Sequence, residues 1–453
     1  MEEEGRIRED LLLSLGLGAC CSTTAASIEN RKARSIQFKD AENSGSSSIR
    51  LSELLRARER MMRLDPRRSG LEDARGEQLI HLLLVAASAI ETNHEHAAIH
   101  ALADLYQHVS FHGDPIQRVM AYFADGLFAR IITASSHFYP SIMENPTPED
   151  ELAAFTALYR ASPFFQFAHF TANQTIMEAF EAEEKRNGRR LHVIDFDVSY
   201  GFQWPSLIQS LADKASTADP ISLRLTGFGR SVDELRETES RLVNFSKGCS
   251  NLVFEFDGVL IGSTTSDLKI EKNATLVVNL AFYLQTLKSS SEMLATLMAI
   301  HSLNPSAVVL VEKEGRDQES ATFLASFVDN LNYFAAMFHS LHDCLPAESA
   351  ERLSIEKNHL GREIKIAITG TTNEKVVSCW RRRMESVGFQ EMKLSSRSVS
   401  QAKLLLKIKG HFSSIEHVIN SGFGIAEGDE GGTISLCWQD RNLVTVSAWR
   451  CGR

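Results

Sequence analysis

Two carboxylates, Asp195 and Asp197, stand where an apolar run ends: Leu191-His192-Val193-Ile194-Asp195-Phe196-Asp197. One glycine, Gly201, follows, and then Phe202-Gln203-Trp204-Pro205-Ser206-Leu207-Ile208. Acids at the carboxyl end of a buried strand, a glycine turn and a proline-opened amphipathic helix form the first βα unit of a cofactor-binding type of sheet. Pro205 suits the first helical position, where its missing N–H would have no partner anyway. The chemistry such a unit serves is the binding of a nucleoside cofactor, and methyl transfer when the cofactor is a methyl donor. That requires a glycine-rich turn, so that backbone can approach the donor, and an acid after the second strand for the ribose hydroxyls. Here Asp195–Gly201 holds a single glycine, and Phe196, Val198 and Tyr200 fill the space a ligand needs. The second strand ends Thr226-Gly227-Phe228-Gly229-Arg230, with no acid before Asp233. An enzyme and a bound cofactor are therefore disfavoured, and a small-ligand or methyltransferase-like role stays as a remote alternative resting on Asp195 and Asp197. The favoured reading is packing. The two acids cap the following helix, whose positive end favours negative charge, while Phe202, Trp204 and Pro205 are core.

The elements that must position these residues follow from periodicity. Leu79, Leu82, Leu83, Ala86, Ala87 and Ile90 recur at helical spacing, as do Ile99, Leu102, Leu105 and Tyr106, and then Ile116, Val119, Met120, Phe123, Leu127 and Phe128. Gly113-Asp114-Pro115 interrupts them, with Asp114 as cap and Pro115 in the first turn. Further helices are expected over Glu151–Tyr159 and Ala168–Arg186, so the first ordered third is an all-helical array. From Leu191 the pattern alternates. Strands are expected at Leu191–Phe196, Ile221–Thr226, Leu252–Phe256, Thr275–Leu280 and Val308–Glu312. The helices between them are Pro205–Asp213, Val232–Phe245, Ser291–His301 and Ser320–His339. This alternation gives a parallel doubly wound sheet. Glu363–Thr369 reads as another strand, Glu374–Val387 as a helix closed by Gly388, and Gly432–Trp438 with Leu443–Trp449 as a hairpin. The fold class is α/β: a Rossmann-like, methyltransferase-type mixed sheet with an N-terminal all-helical cap.

Composition bounds the rest. Hydrophobic content of 43% and charge of 23% are ordinary for a globular chain, and a net charge of -10 over 453 residues gives no global drive toward nucleic acid. Seven scattered cysteines, with only Cys20 and Cys21 adjacent, suit a reducing compartment. No apolar run reaches the roughly 18 residues that span a bilayer, and the acidic Glu2-Glu3-Glu4 before Leu11–Cys21 argues against a signal peptide, so no membrane association is expected. His94, His96, His100 and His108 have no paired cysteine or acid cluster, so no metal site is expected. Residues 1–75 read as a disordered leader, rich in Ser, Thr, Ala and charge. Arg56, Arg58, Arg60, Arg63, Arg67 and Arg68 within it present either a solvated helix face, with Glu53, Glu59 and Asp65 interleaved, or a nuclear-import or phosphate-contacting arm.

Taken together, the motifs resemble the GRAS family of plant regulatory proteins, over about residues 75–453. Leu191, His192, Val193, Ile194 and Asp195 look like its VHIID block. Leu79, Leu82 and Leu83 match an LxxLL pattern in a first leucine-rich region. Arg362-Glu363 resembles the end of the PFYRE block, whose aromatic part is weak here at Asn332-Tyr333-Phe334. Trp380, Gly388, Trp438, Ser447, Ala448 and Trp449 resemble the SAW block. The resemblance divides a domain of 76–453 into a leucine-rich cap (76–138), the VHIID region (154–219), a second leucine-rich region (235–267), the PFYRE region (274–370) and the SAW region (373–451). No DELLA-like acidic segment is present, so the scarecrow-like branch is the better match. The family implies a nuclear transcriptional regulator or co-regulator. Its implied partners are other GRAS proteins, as homo- or heterodimers, and zinc-finger or other DNA-binding transcription factors. It also implies, in some members, direct DNA contact. For the last, Arg381, Arg382 and Arg383 are the densest basic triplet and the candidate phosphate contacts, though three consecutive helical positions cannot share one face. The net charge favours the partner-mediated version.

Overall fold

The computed structural model describes Leu54, Arg56, Arg58 and residues 74–452, apart from 133–135, 263–267, 288, 314–321, 371–379, 411–421 and 429–430. Three helices open the domain: α1 (Ala74–Glu91), α2 (Glu95–Leu105) and α3 (Pro115–Ile132). The Asp114 carboxylate accepts from the Gln117 N–H at 2.9 Å, and Pro115 follows it, as the sequence predicts. Two helices capped by hydroxyls and opened by proline lead to the sheet. They are α4 (Pro148–Ala161), capped by Thr147, and α5 (Pro163–Ala182), capped by Ser162.

The alternating part then runs β1 (Arg190–Asp195), α6 (Trp204–Lys214), β2 (Ile221–Gly229), α7 (Val232–Ser246), β3 (Leu252–Leu260), β4 (Thr275–Ala281), α8 (Ser290–Ser302) and β5 (Ala307–Lys313). After it come α9 (Phe323–Cys344), α10 (Ala350–Ile355), a π-helical turn (Glu356–Leu360), α11 (Gly361–Thr369), α12 (Trp380–Ser386) and β6 (Phe389–Met392). Last are α13 (Ser396–Ile408), β7 (Phe423–Glu427), β8 (Thr433–Trp438) and β9 (Arg441–Cys451). The sheet order is β3-β2-β1-β4-β5-β9-β8-β7. The first five strands are parallel, and β9 joins β5 antiparallel with Ala448 opposite Val309. The long β9 also takes β6 along Ala448–Cys451 and β8 along Arg441–Ser447. The parallel strands are covered on both faces, which is why they read as continuous apolar runs. Leu191 and Val193 belong to the larger core, shared with the cap and α5, whereas Ile194 and Phe196 belong to a second core under α8.

The structure corrects three expectations. Glu363–Thr369 lies in a helix, α11, and is not a strand. Ile364, Ile366 and Ile368 alternate like a strand, but Ile364 and Ile368 are buried one helical turn apart and Ile366 is half exposed. Asp195 and Asp197 do not cap α6, whose first residues carry no side-chain cap. The leader is not wholly separate either: Leu54 is fully buried, and Arg58 pairs with the buried Asp125 through two hydrogen bonds of 2.8 Å, with Tyr106 donating to the same carboxylate at 2.9 Å. Apart from Leu54, Arg56 and Arg58, residues 1–73, including Arg60, Arg63, Arg67 and Arg68, lie outside the described residues, as does the 374–379 part of the expected helix Glu374–Val387.

Candidate functional site

Asp195 ends β1 opposite Asn279 of β4, and this register builds the floor of the site. The Asp195 carboxylate accepts from Asn279 Nδ2 at 2.9 Å and from Trp204 Nε1 at 3.1 Å. Gln203 and Asn279 exchange amide hydrogen bonds of 3.2 and 3.3 Å, and Gln203 also donates to Asn173 Oδ1 at 3.1 Å. Asn173 in turn donates to Ser206 Oγ at 2.8 Å. The network ties β1, β4, α5 and the start of α6 together, and such satisfied buried polar networks fix one arrangement of a core. Burial, with Asp197 adding to it, pushes the Asp195 carboxyl up to about 7 against the pull of these donors. His192 points to the other face. Its Nδ1 accepts from the Glu271 N–H at 3.3 Å, so Nε2 carries the proton toward Thr226 Oγ1 at 2.9 Å. Burial and the Arg224 charge hold His192 down at about 4, so it is neutral at physiological pH.

The carboxyl ends of β1 and β2 are filled by the chain itself. Phe196 and Phe228 stack at 5.0 Å with planes 13° apart, and Tyr283 closes on Phe196 at 5.2 Å. The Val198 N–H donates to Phe228 O at 2.8 Å, and its Cβ would stand 3.0 Å from a Cβ at Gly227. These side chains occupy the ends of β1 and β2, the level at which a nucleoside cofactor meets sheets of this type. Gly201 is held at φ +71°, where a Cβ would also meet Thr238 at 2.8 Å.

Beside this plug a cleft of about 190 Å³ remains, between the ends of β1, β4 and β5 and the helices α4, α5 and α11. Phe155, Phe165, Tyr200, Phe202 and Phe282 make an aromatic wall, with Phe155 ring centroids 4.7 Å from Phe165, 5.2 Å from Tyr200 and 5.3 Å from Phe202. The charged and imidazole groups of the lining are four carboxylates, of Glu151, Asp195, Asp197 and Glu363, two cations, Arg230 and Lys313, and the rings of His169 and His359, with neutral polar groups of Gln203, Gln285 and Thr286 beside them. Lys313 Nζ lies 2.7 Å from both oxygens of Glu363, and Glu151 accepts from Arg362 at 2.8 Å. Burial alone would raise the Glu363 carboxyl, but Lys313, His359 and Arg362 outweigh it and hold it below the usual range. Burial lowers His359 against the opposing pull of Glu363 and brings His169 down to about 3. Of these residues, sequence reasoning singled out Asp195, Asp197, Tyr200, Arg362 and Glu363. It missed Arg230, Asn279 and Lys313, although each stands at or just past the carboxyl end of a parallel strand, the level at which ligands meet such sheets.

The other sequence-predicted residues are spread over the molecule. Leu79 and Leu83 are buried and Leu82 is half-buried, and it is Ile80 and Val85 that face outward from α1. Tyr333 and Phe334 are buried in α9, where Phe334 meets Phe123 of the cap. Trp449 and Ala448 are buried in β9, and the Trp449 indole donates to Ser447 Oγ at 2.9 Å. Trp438 donates to His339 Nδ1 at 3.2 Å. Gly388 turns α12 into β6 at φ +100°, where a Cβ would lie 3.2 Å from His301, and Trp380 packs on the second core. In the basic triplet, Arg381 pairs with Glu391 and Arg383 reaches Ser290 Oγ at 3.4 Å, so these guanidinium groups are engaged with their own chain. Among the described residues, no three His, Cys, Asp or Glu side chains converge as a metal site and no helix is long and apolar enough to cross a membrane.

This sheet order, with an antiparallel hairpin beyond β5 and a helical cap, defines a methyltransferase-type α/β domain whose cofactor edge is plugged by its own side chains. The model of the GRAS domain family matches residues 79–450, and the chain belongs to this family of plant transcriptional regulators. It is 33% identical to Scarecrow-like protein 23 of Arabidopsis thaliana over 386 residues, 82% of this chain and 89% of that protein. It is 34% identical to Protein SCARECROW of Ipomoea nil over 84% of this chain and 47% of that protein. The chain thus spans about half the length of the SCARECROW proteins it matches. The crystal structure of SCL7 in Oryza sativa superposes with a TM-score of 0.67 at 28% identity, covering 82% of this chain and 99% of that one.

Proposed function

We propose that this chain is a nuclear transcriptional co-regulator that acts by associating with other GRAS proteins and with DNA-binding transcription factors, zinc-finger proteins among them, and that it performs no methyl transfer. The observation that carries the non-enzymatic reading is the Phe196–Phe228–Val198 plug at the ends of β1 and β2, on a member of a regulatory family. Partner-mediated action over direct DNA reading is supported by charge. The chain is net negative, and Arg381 and Arg383 are engaged internally.

A binding-site selection with the purified full chain tests this. No enriched motif is expected without a DNA-binding partner, and changing Arg381, Arg382 and Arg383 together to Glu leaves reporter output nearly unchanged. A single enriched motif that the triple change abolishes, with a salt slope flattened by about one to three units, would establish the alternative, a direct sequence-specific DNA-binding factor. Titration with S-adenosylmethionine is expected to show no binding at millimolar ligand, and micromolar affinity would overturn the non-enzymatic reading.

A further inference from the structure

The cleft next to the plug has a chemistry that packing does not explain. Its cations are already matched inside the protein: Lys313 by both oxygens of Glu363, and Arg230 by Glu151 at 3.9 Å, with Asp197 and Glu234 acting on it electrostatically. Glu151 is already paired with Arg362 at 2.8 Å, and two acids make no direct ion pair, Asp197 feeling Arg230 only at longer range. Asp195 is held only by neutral donors, the Trp204 indole and the Asn279 amide. Asp197 accepts from the Ser199 N–H at 3.2 Å and has no cation within ion-pair distance among the described residues. The ring cluster around Phe155 lines the same cleft, and aromatic π faces attract positive charge. Burial shifts the neighbouring imidazoles of His169 and His359 toward their neutral forms. A volume of about 190 Å³ holds about six waters at ~30 Å³ each, well below the roughly 300–1,000 Å³ of sites for drug-sized ligands.

We propose that this cleft is a binding site for a small organic ammonium ion, seated against the Phe155, Tyr200 and Phe202 rings with Asp197 and Asp195 as its counter-charge. An anion is disfavoured by the carboxylate excess. A neutral apolar molecule would desolvate the two acids without compensation. Ionised Asp195 is costly in the empty cleft, since burial holds its carboxyl up at about 7, and a bound cation relieves that cost. This site is independent of how the chain reaches DNA.

The experiment titrates the full chain with choline and propylamine against their uncharged counterparts, 3,3-dimethylbutan-1-ol and propan-1-ol, by calorimetry and thermal shift. At least one ammonium probe is expected to bind about tenfold or more tightly than its neutral counterpart, the order of effect a desolvated cation–π and carboxylate site provides. Asp197→Asn should erase that preference. Lys313→Met, which frees Glu363, should instead tighten ammonium binding, a gain that mere loss of folding cannot mimic. Equal affinity for charged and neutral probes, or no binding of either ammonium at tens of millimolar, would overturn the proposal.

Discussion

At the scale of single residues, the carboxyl groups withdrawn from water shape the behaviour of this protein. Asp195 is protonated up to about pH 7 in the folded chain and only to about 3.8 in the unfolded one. Between those values folding takes up a proton. The stability this contributes is full below 3.8 and is lost as pH rises through 7. Asparagine at this position must turn its amide toward either Trp204 Nε1 or Asn279 Nδ2, so one donor loses its acceptor. Asp195→Asn should therefore cost about 1–3 kcal/mol in urea unfolding, with a larger deficit at pH 5.5 than at pH 8. Glu312 is more extreme. It is 3% exposed, neither of its oxygens has a partner in hydrogen-bonding geometry, and burial raises its carboxyl well above the usual range while the Leu284 backbone and Lys313 offset this only in part. Glu312→Met should stabilise the fold by about 1–3 kcal/mol near pH 8. The gain should shrink toward pH 5, where the unfolded carboxyl also begins to hold its proton. Unchanged stability at both values would mean that Glu312 has a partner in solution.

At the scale of elements, the π-helical turn at Glu356–Leu360 links two sites of opposite character. Glu356 begins it, fully buried, and accepts from Arg118 Nε at 3.0 Å and from Arg352 Nη1 at 2.9 and 3.1 Å. Three residues on, His359 faces the cleft, and Glu363 follows in α11. Such insertions in a helix re-aim side chains and cluster at functional sites. Removing the one acid between two buried guanidinium groups leaves charge uncompensated, so Glu356→Gln should destabilise by about 3–5 kcal/mol. The triple change Arg118→Met, Glu356→Leu, Arg352→Met should recover most of that loss in denaturant unfolding. If the triple variant is as unstable as the single one, apolar replacement does not repack the site. The sequence was readable here only in part. The strand–turn–helix at Leu191–Ile208, the five parallel strands and the β8–β9 hairpin were legible because burial on both faces or a turn signal marks them locally. The π turn and α11 were not, because Ile364, Ile366 and Ile368 satisfy a strand period until the partners of Glu356 are known. Asn279, Arg230 and Lys313 became site residues only through strand order, which no local pattern encodes.

At the scale of the whole molecule, cap and sheet share one hydrophobic core and should therefore unfold as one cooperative unit. Nearly all of α3 is buried. Phe123 meets Phe327 edge-on at 5.2 Å, Arg118 reaches Glu356, and Gly126 lies so close to Ile368 that a Cβ there would stand 2.6 Å from it. Deleting residues 76–138 should therefore abolish soluble protein and should not yield a folded core that merely lacks association. Tryptophan fluorescence, from core residues Trp204, Trp438 and Trp449, and helical circular dichroism should report a single melting transition in the intact chain. Two separated transitions would show that the cap folds on its own.

The placement of β9 between β5 and β8 has a consequence for synthesis. β5 is complete by residue 313, but the strand that covers its free edge begins at Arg441, more than a hundred residues later. At roughly 5–20 residues per second the ribosome needs about 6–25 s to deliver it. For that interval the nascent sheet carries an uncovered row of peptide groups along Val308–Lys313, the kind of edge on which chains pair wrongly. Production of this protein in cells should therefore depend on chaperones that hold the nascent chain, and any stop codon before Arg441 should send the product to degradation.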